Sequence, residues 1–527
     1  MTLQGLAHTT TVQWLRGRSY SLRMAMSAGA EALGTPSRDG SAPAARAGWR
    51  PSALQVVVAL TVAGAALRFG TIDVQSIWGD EAITIAVVHR SFGSMLSHLS
   101  SSESAPPLYY TLAWLWTKVF GTGPIGFRTL SALAGTLTIP VVWACGREIS
   151  DRVGGWAAAL AVVSPAMYYY SQEARAYALL ILFCALAFLF FERALSRRDA
   201  RSLAWWAGFS ALALLTHYFA AFLFIPEAVI LARALGRRRA ALACAPVVIV
   251  GIALLPLAID QRDSGKAKWI EESSLISRTG ETVKQFLVGL YGPGQIGTAA
   301  LSGLLALGAL WIVLKRARGS ERDRARDAAI VAGVGVALPL LLAAAHLIDV
   351  FDGRNVIAAW VPFAVLIAIG LGCARAGRAG AAIGTALCAI GLGVILATNL
   401  LPGYQRDDWR GAAQALPKNA PAPRVIVAER YGGSPLSIYL GPLRQTTATN
   451  VIAREIVFPT LRTRHTAGAP YPPYLQLRPP RGFRLVSVRK SEAFAVTRFL
   501  APRQTTVAAR ELVRLSGDPA SELLLEG

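Results

Sequence analysis

PSALQVVVALTVAGAALRFGTIDVQSIWGDEA, residues 51–82, joins a long apolar run to two adjacent carboxylates. A helix over the run at residues 52–69 is long enough to cross a bilayer core of about 30 Å. Similar runs recur as far as residue 400. Hydrophobic residues make up 54% of the 527 residues, and charged residues make up 16%. The composition therefore predicts a polytopic α-helical membrane protein.

Eleven apolar runs are candidate transmembrane helices. They cover residues 52–69, 127–146, 153–170, 176–194, 202–216, 219–234, 240–259, 297–314, 328–348, 355–373 and 380–400. If the N-terminal tail is inside the cell, alternation places every arginine-rich loop inside as well, where positive charge is retained. These loops are GREISDR, ERALSRRDAR, RALGRRR, KRARGSERDRARD and RAGR. Topology explains the net charge of +22 better than a nucleic-acid partner does.

The segment PPLYYTLAWLWTKVFG, residues 106–121, is not counted among these spans. Counting it as a twelfth span, which is the alternative, would move every later arginine cluster outside. Only about 13 apolar-rich residues precede its lysine, which is short for a span. We expect an amphipathic helix on the outer membrane surface, with its tryptophans and tyrosines at headgroup level.

This topology predicts three parts. Residues 1–50 form a cytoplasmic tail that we expect to be disordered, residues 51–401 form the transmembrane domain, and residues 402–527 form an extracytoplasmic domain. The transmembrane domain carries two large outer loops, residues 70–126 and 260–296.

The C-terminal part shows both strand and helix patterns. RVIVAERY predicts a strand, SPLSIYL a short helix, and FRLVSVRKSEAFAVTRFL two strands. The Pro-rich GAPYPPYLQLRPPRG predicts an extended loop. We therefore expect a small α/β domain outside the membrane.

Charged groups at membrane depth are costly, so those that topology does not explain are candidates for function. Four places on the outer side qualify. They are Asp80 with Glu81, Glu173 with Arg175 in YYYSQEARAYAL, His217 in THYF, and Asp349, Asp352 and Arg354 in DVFDGRNV. Around one cavity open to the outer leaflet, such acids could take a proton and such arginines could hold an anion.

Each place also has an interpretation without chemistry. Asp80 and Glu81 could be a solvated loop pair, and Glu173 and Arg175 an interfacial salt bridge that caps a helix. His217 could be a polar turn residue. Arg354 could be a flanking residue that snorkels to the interface. Their joint occurrence on one face favours a site.

Five fragments, taken in order, resemble the bacterial family 39 type of membrane glycosyltransferase, relatives of the protein O-mannosyltransferases and the lipid A aminoarabinose transferase. They are WGDEA, PPLYY, SQEARAYAL, DGRNVIAAWVPFAVL and DDWRGAAQAL, within residues 52–415. Such enzymes have the GT-C fold. The chain departs from the family at Ala105, where the family usually has His before Pro-Pro, and at Asn355, where it usually has Tyr after Arg.

The resemblance implies transfer of a sugar, with inversion, from a polyprenyl-phosphate donor to a hydroxyl acceptor on the outer face of a bacterial cytoplasmic membrane. The acceptor could be a protein, a lipid glycan or a cell-wall polysaccharide. The family's Asp-Glu pair falls on Asp80 and Glu81. Its acidic-x-Arg-x-Tyr element falls on Glu173, Arg175 and Tyr177, and its outer arginine falls on Arg354.

These positions define the predicted site. Asp80 is the predicted base, with Glu81 and Glu173 as further catalytic candidates. Arg175, with Arg354 as the second candidate, is predicted to bind the donor phosphate, together with Tyr177. Further candidates are His217, Tyr109 and Asp352. Hard oxygen ligands are compatible with a divalent metal, although no ligand spacing demands one.

Two other classes of protein are compatible with part of the pattern. A lipid or solute transporter, or a flippase, also places polar residues near span ends, but it predicts charges near the middle of spans. Glu227 in FIPEAVI is the main such charge here. The other class is a non-catalytic membrane scaffold with an external binding domain.

Overall fold

The computed structural model describes residues 52–417, 421–461 and 477–526. The predicted cytoplasmic tail, residues 1–50, lies outside the described residues. Most of the described chain is helical, and a small sheet follows near the C-terminus.

Each of the eleven predicted spans overlaps a helix. Within the described residues, eight helical stretches are long and apolar enough to cross a membrane. They are α1 (Ala53–Gly70), α5 (Pro124–Arg147), α8 (Tyr177–Arg197), the stretch Tyr218–Leu235 containing α10 (Ala221–Leu235), α11 (Arg237–Asp263), α13 (Gln295–Arg316), α14 (Ser320–Ala344) and α16 (Gly377–Leu400). Three predicted spans correspond to shorter helices. These are α6 (Asp151–Val163), α9 (Ala200–Thr216) and α15 (Trp360–Gly372). The total of eleven crossings stays a prediction.

The predicted continuous span over residues 153–170 is wrong. Helix α6 ends before Ser164, and a separate helix α7 (Pro165–Ser171) begins there. Ser164 has an extended backbone because the following proline disfavours helical geometry at the residue before it. Its side chain accepts a hydrogen bond from the Met167 amide and caps α7. The break lies directly before the loop that carries Glu173 and Arg175.

The outer loops contain four further helices. The first outer loop forms α2 (Gly79–Val88), α3 (Phe92–Ser102) and α4 (Leu108–Phe120), and the second forms α12 (Leu275–Val288). A 3-10 turn, Lys268–Glu272, precedes α12. Helix α4 confirms that residues 106–121 form a short helix. It buries Tyr109 and Tyr110 and exposes Leu115, Val119 and Phe120.

The membrane helices pack closely through small residues. The clearest case joins α15 to α13, where a Cβ added at Gly370 would lie 2.2 Å from the Ala309 carbonyl oxygen. Such backbone contact is possible only with glycine, because any side chain would overlap the neighbouring helix.

The C-terminal part is a mixed six-stranded sheet in the order β2-β6-β1-β3-β5-β4. Strands β1 and β3 are parallel, and the other neighbours are antiparallel. The strands are β1 (Arg424–Ala428), β2 (Leu443–Thr446), β3 (Asn450–Leu461), β4 (Arg484–Lys490), β5 (Phe494–Ala508) and β6 (Glu522–Glu526). The helices are α17 (Trp409–Gln414), α18 (Gly433–Leu440) and α19 (Ala509–Ser516). The predicted strands and short helix are confirmed. Residues 468–476 of the predicted Pro-rich loop lie outside the described residues.

The C-terminal part contacts the first outer loop directly. The Tyr439 hydroxyl accepts a hydrogen bond from the Ile77 amide at 2.7 Å. Ser76 Oγ donates to the Asp407 carbonyl at 2.9 Å. Arg410 donates to the Asp73 carbonyl at 2.8 Å. The segment that follows α16 therefore lies against residues 73–77, which directly precede α2 and Asp80.

Gly370→Ala should destabilise the protein, because its new methyl group would overlap the α13 backbone. Overpacking of this kind typically costs about 1–3 kcal/mol. Thermal unfolding in detergent measures the effect. Gly393→Ala in α16 is the matched control, because a Cβ there meets nothing within 4 Å. Equal unfolding temperatures for the two variants would contradict the packing described here.

Candidate active site

Asp80 stands in the first turn of a helix. Helix α2 begins at Gly79 after the extended Trp78. The amide dipoles at a helix N-terminus favour a carboxylate there. Asp80 Oδ2 accepts a hydrogen bond from Arg354 Nη1 at 3.0 Å, and the side chains remain 29% and 24% exposed. The pair therefore presents a negative and a positive group on a surface that a ligand can reach.

Arg354 has three neighbours that hold its guanidinium in place. Asp352 Oδ1 accepts from the Arg354 amide at 3.0 Å and lies 3.4 Å from its Nε. On another side, the guanidinium carbon lies 4.3 Å from the ring centroid of Trp269, in the second outer loop. This distance allows a cation–π interaction. Arg354 would therefore stay close to its position if it lost Asp80.

The turn that carries Arg354 is fixed by α12. Arg278 makes a bidentate ion pair with Asp349, at 2.6 and 2.8 Å, and donates to the Phe351 carbonyl at 2.9 Å. The Arg278 hydrogen bond lowers the pKa of Asp349 below its ordinary value. A Cβ at Gly353 would lie 2.0 Å from Gln285 Oε1, so the turn packs closely against α12 and any larger residue would displace the Gln285 side chain.

Glu81, the next residue after Asp80, is fully buried. Both of its oxygens pair with Arg128, at 2.7 and 2.6 Å. The Ala174 amide donates to Oε1 at 2.9 Å, and Arg406 Nη1 lies 3.5 Å from Oε2. Burial alone would raise the pKa of Glu81, but Arg128, Arg406 and the Ala174 amide together hold it below its ordinary value.

Glu173 is also buried, yet its surroundings differ from those of Glu81. Its Oε2 has no hydrogen-bond partner among the residues that the structure describes. Burial raises the pKa of Glu173 to about 7, and the nearby Asp80 and Glu81 charges act in the same direction against Arg406 and Arg175. The loop from residue 172 to 176 therefore brings a carboxyl that is readily protonated next to the two acids of α2.

Arg175 directs one nitrogen toward protein partners. Its Nη1 donates to both Glu103 oxygens at 3.1 and 3.0 Å, to Thr84 Oγ1 at 2.9 Å and to the Asp80 carbonyl at 3.5 Å. Glu103 is buried at the end of α3, while Arg175 is 15% exposed. Burial raises the pKa of Glu103 above its ordinary value even though Arg175 opposes this. Arg175 thus lies beside the Asp80 backbone, and Glu103 compensates its charge.

Three predicted candidates form the aromatic side of the site. The Tyr177 ring centroid lies 5.7 Å from that of His217 and 4.9 Å from that of Tyr170. His217 Nδ1 accepts from the Phe219 amide at 3.3 Å. Burial, with Arg175 and Arg354 nearby, lowers the pKa of His217 to about 4, so the ring is neutral at pH 7. Tyr109 is buried, and burial raises its pKa well above the ordinary value.

All four places selected from the sequence therefore meet around Asp80. Several other members of the site were missed. They are Arg128, Arg406, Glu103 and Trp269. Arg128 lies at the start of the apolar run at residues 127–146. A charge buried there needs a partner, so the sequence already indicated that Arg128 is paired. The other three lie in polar stretches, where a charge or an aromatic residue is common.

An apolar groove begins next to this polar cluster. Its walls come from α6, α7, α12, α13, α15 and α16, and include Leu160, Pro165, Phe286, Trp360, Ile367 and Leu387. Gln285, the neighbour of Phe286, donates to the Tyr170 hydroxyl. Trp360 Nε1 donates to the Phe286 carbonyl at 3.2 Å. The groove therefore reaches the end of α12, where Gln285 contacts Tyr170 and the turn at Gly353.

No group of three or more His, Cys, Asp or Glu side chains in the described part of the chain is arranged to hold a metal ion.

Comparisons with known proteins agree with this architecture. Residues 104–259 match the family model described as dolichyl-phosphate-mannose-protein mannosyltransferase. The crystal structure of apo ArnT from Cupriavidus metallidurans matches with a TM-score of 0.52 at 14% identity, covering 85% of this chain and 98% of ArnT. ArnT bound to undecaprenyl phosphate matches with a TM-score of 0.50 at 13% identity and the same coverage. A search of curated protein sequences gives no significant match.

The fold is therefore the GT-C fold that the sequence predicts. The segment at residues 104–259 is similar to the mannosyltransferase family model, and the fold is shared with ArnT over 85% of the chain.

Glu81→Ala should destabilise the protein strongly, because it leaves Arg128 buried without its counter-charge. Breaking a buried pair by removing one partner typically costs about 3–5 kcal/mol. Asp263→Ala is the control, since it removes one partner of the exposed Arg262–Asp263 pair, a type worth about 0–1 kcal/mol. Thermal unfolding in detergent compares them, and similar unfolding temperatures would contradict a structural role for Glu81.

Proposed function

We propose that this glycosyltransferase moves a sugar from a polyprenyl-phosphate donor to a hydroxyl acceptor, with inversion at the anomeric carbon. The observation that carries the proposal is the partly exposed contact between Asp80 and Arg354, at 3.0 Å. A carboxylate able to accept a proton lies there beside a guanidinium able to hold a phosphate, at the outer ends of apolar helices.

Asp80 acts as the base. The acceptor oxygen attacks the anomeric carbon, the bond from that carbon to the phosphate oxygen breaks, and the electron pair leaves with the polyprenyl phosphate. The acceptor proton passes to Asp80. In the free enzyme Arg354 occupies an Asp80 oxygen. A donor phosphate that pairs with Arg354 therefore releases Asp80 for this role.

Arg354 is the principal phosphate ligand in this proposal, and Arg175 is second. This order reverses the one that the sequence favoured. Arg175 Nη1 is committed to Glu103 and Thr84, and the buried Glu103 neutralises its charge. Arg354 faces only partly exposed carboxylates, Asp80 and Asp352. A phosphate can replace such partners at lower cost than it can replace a buried one.

The apolar groove is the proposed site of the prenyl chain. It begins beside the charged cluster and is lined by apolar side chains such as Phe286 and Ile367. A lipid chain there would bury apolar area while its phosphate meets the arginines. The ArnT structure with undecaprenyl phosphate has the same fold, which is consistent with a donor of this type.

The remaining residues have supporting roles in the proposal. Glu81 positions α2 and the loop at residues 172–176 through its buried contacts. Asp352 positions Arg354. Tyr177 and Tyr109 shape the buried side of the crevice. His217, neutral at pH 7, can offer a hydrogen bond to a substrate hydroxyl without adding charge.

We place the site on the outer face of a bacterial cytoplasmic membrane, with the N-terminus inside and the C-terminal part outside. The arginine-rich loops support this orientation because they all fall on the opposite side. In this proposal the acceptor is a hydroxyl of a protein, a lipid glycan or a cell-wall polysaccharide, and the C-terminal part would meet it on the outer side.

A transporter or flippase is less consistent with the structure. A transporter predicts charges in the middle of spans, and Glu227 is the main such charge here. Glu227 accepts a hydrogen bond from Trp206 Nε1 at 2.7 Å, and both residues are buried. That contact joins α9 to α10 and gives Glu227 a structural role.

Purified protein in lipid should release sugar from one member of a panel of radiolabelled polyprenyl-phosphate sugars. Asp80→Asn should abolish transfer and hydrolysis, because the amide cannot take the acceptor proton. It should bind polyprenyl phosphate at least as tightly as the wild type, because Arg354 loses a competing carboxylate. Asp263→Asn, on an exposed site, is the control. Activity of Asp80→Asn above about a tenth of wild type would reject Asp80 as the base.

Arg354→Ala should weaken binding of polyprenyl phosphate more than Arg175→Ala does. Loss of one preorganised donor typically costs on the order of 3 kcal/mol in transition-state stabilisation, so turnover should fall by roughly 10²–10³. Binding of a fluorescent polyprenyl phosphate in nanodiscs measures the first effect, and sugar release measures the second. Unchanged lipid affinity in Arg354→Ala would remove Arg354 from the phosphate site.

A further inference from the structure

Glu173 has an unusual place among the acids of the site. Its side chain is 2% exposed, and its Oε2 is buried without a hydrogen-bond partner among the described residues. Several donors of the neighbouring arginines bond elsewhere, while Arg406 Nε is buried without a hydrogen-bond partner among the described residues. Arg406 donates to the Gln172 and Tyr169 carbonyls, and Arg175 Nη1 donates to Glu103. A carboxylate that is buried in this way and lacks hydrogen bonds would be costly in its ionised form.

Charged and titratable groups from several helices and loops surround Glu173. Two carboxylates from α2 oppose its ionisation, and two arginines favour it. Three tyrosines also interact with it electrostatically, from α4, α7 and α8. In full, the neighbours are Asp80, Glu81, Arg175, Arg406, Tyr109, Tyr170 and Tyr177.

Burial is the largest influence on Glu173 and raises its pKa to about 7. Near neutrality a substantial fraction of the carboxyl is therefore protonated, and the fraction grows as the pH falls. Asp80, by contrast, is partly exposed and paired with Arg354. Two acids with such different surroundings are suited to opposite roles in proton transfer, one as acid and one as base.

We propose that Glu173 is the general acid that protonates the departing phosphate oxygen. This inference rests on the proposed function and adds the second half of its proton transfer. As the bond between the anomeric carbon and the phosphate oxygen breaks, that oxygen takes the electron pair and the Glu173 proton. The acceptor hydroxyl gives its proton to Asp80. Arg354 would hold the phosphate as its principal ligand, with Arg175, two residues after Glu173, as the second ligand.

The cycle closes within the site. After transfer, Asp80 carries the acceptor proton and Glu173 is ionised. Return of that proton from Asp80 to Glu173 restores both groups, so the net result is one proton moved from the acceptor to polyprenyl phosphate. The burial of Glu173 has a use in this cycle, since it keeps the acid protonated near neutrality and away from bulk water.

The test measures hydrolysis of the active radiolabelled donor, with water as the acceptor, from pH 5.5 to 9. Wild-type kcat should fall above about pH 7, because Glu173 loses its proton there. Glu173→Gln keeps a hydrogen-bond donor but has no proton to give. Its kcat at pH 6 should fall by roughly 10²–10⁴, without the alkaline decline and with donor affinity close to wild type. Glu173→Asp should recover part of the rate together with the decline.

Glu227→Gln is the matched control, because it neutralises another buried glutamate that lies outside the site. It should keep the wild-type rate and pH profile. A wild-type kcat that stays constant from pH 6 to 9 overturns the proposal without any variant. A Glu173→Gln kcat within threefold of wild type also overturns the proposal. The same alkaline decline in that variant would overturn it as well. If no donor is cleaved by the wild type, the proposed function fails instead.

Discussion

The buried ion pair between Glu81 and Arg128 is the constraint on which the site depends. Arg128, near the start of α5, reaches back over the first outer loop and also donates to the Ile72, Gln75 and Ser76 carbonyls. Glu81 in turn accepts the Ala174 amide. One ion pair thus joins a membrane helix, the first outer loop and the loop before α8. Because each partner is buried, neither can be lost without leaving an uncompensated charge.

This constraint explains how two adjacent acids acquire different environments. Consecutive residues on a helix point about 100° apart, since a turn takes 3.6 residues. Once Glu81 is fixed on Arg128 in the interior, Asp80 must turn toward the crevice and Arg354. The Asp-Glu pair therefore consists of a partly exposed Asp80, the proposed base, and a buried Glu81 that pairs with Arg128. Glu173 adds a third environment, buried like Glu81 but without its arginine hydrogen bonds.

The site is assembled at the boundary between apolar helices and polar loops. Its arginines come from distant parts of the chain, and Arg406 comes from beyond the last membrane helix. Arg406 lies 4.3 Å from the Tyr169 ring centroid and bonds the Gln172 carbonyl. The C-terminal part is thus tied to the membrane part at the acids themselves. This connection gives the outer sheet a direct route to influence the site, through α17, α18 and the linker.

Much of the fold follows from composition and periodicity. The apolar runs, the short outer helix over α4 and the strands of the C-terminal part were all predicted, because these patterns depend on local sequence. The break between α6 and α7 was missed, although the Ser-Pro step at residues 164 and 165 carried a local signal. The position of Asp80 outside the apolar runs also followed from sequence, and its placement on the outer side stays a prediction.

What the sequence by itself determined is therefore the membrane class and most of the helices, because hydrophobicity acts residue by residue. Only the tertiary structure decided the pairing. It paired the Asp80 carboxylate with Arg354 rather than Arg175, buried Glu81 on Arg128, and left Glu173 Oε2 without a hydrogen-bond partner among the described residues. The Arg354 contact joins residues 274 positions apart, and burial and hydrogen bonding at such separation depend on how the helices pack.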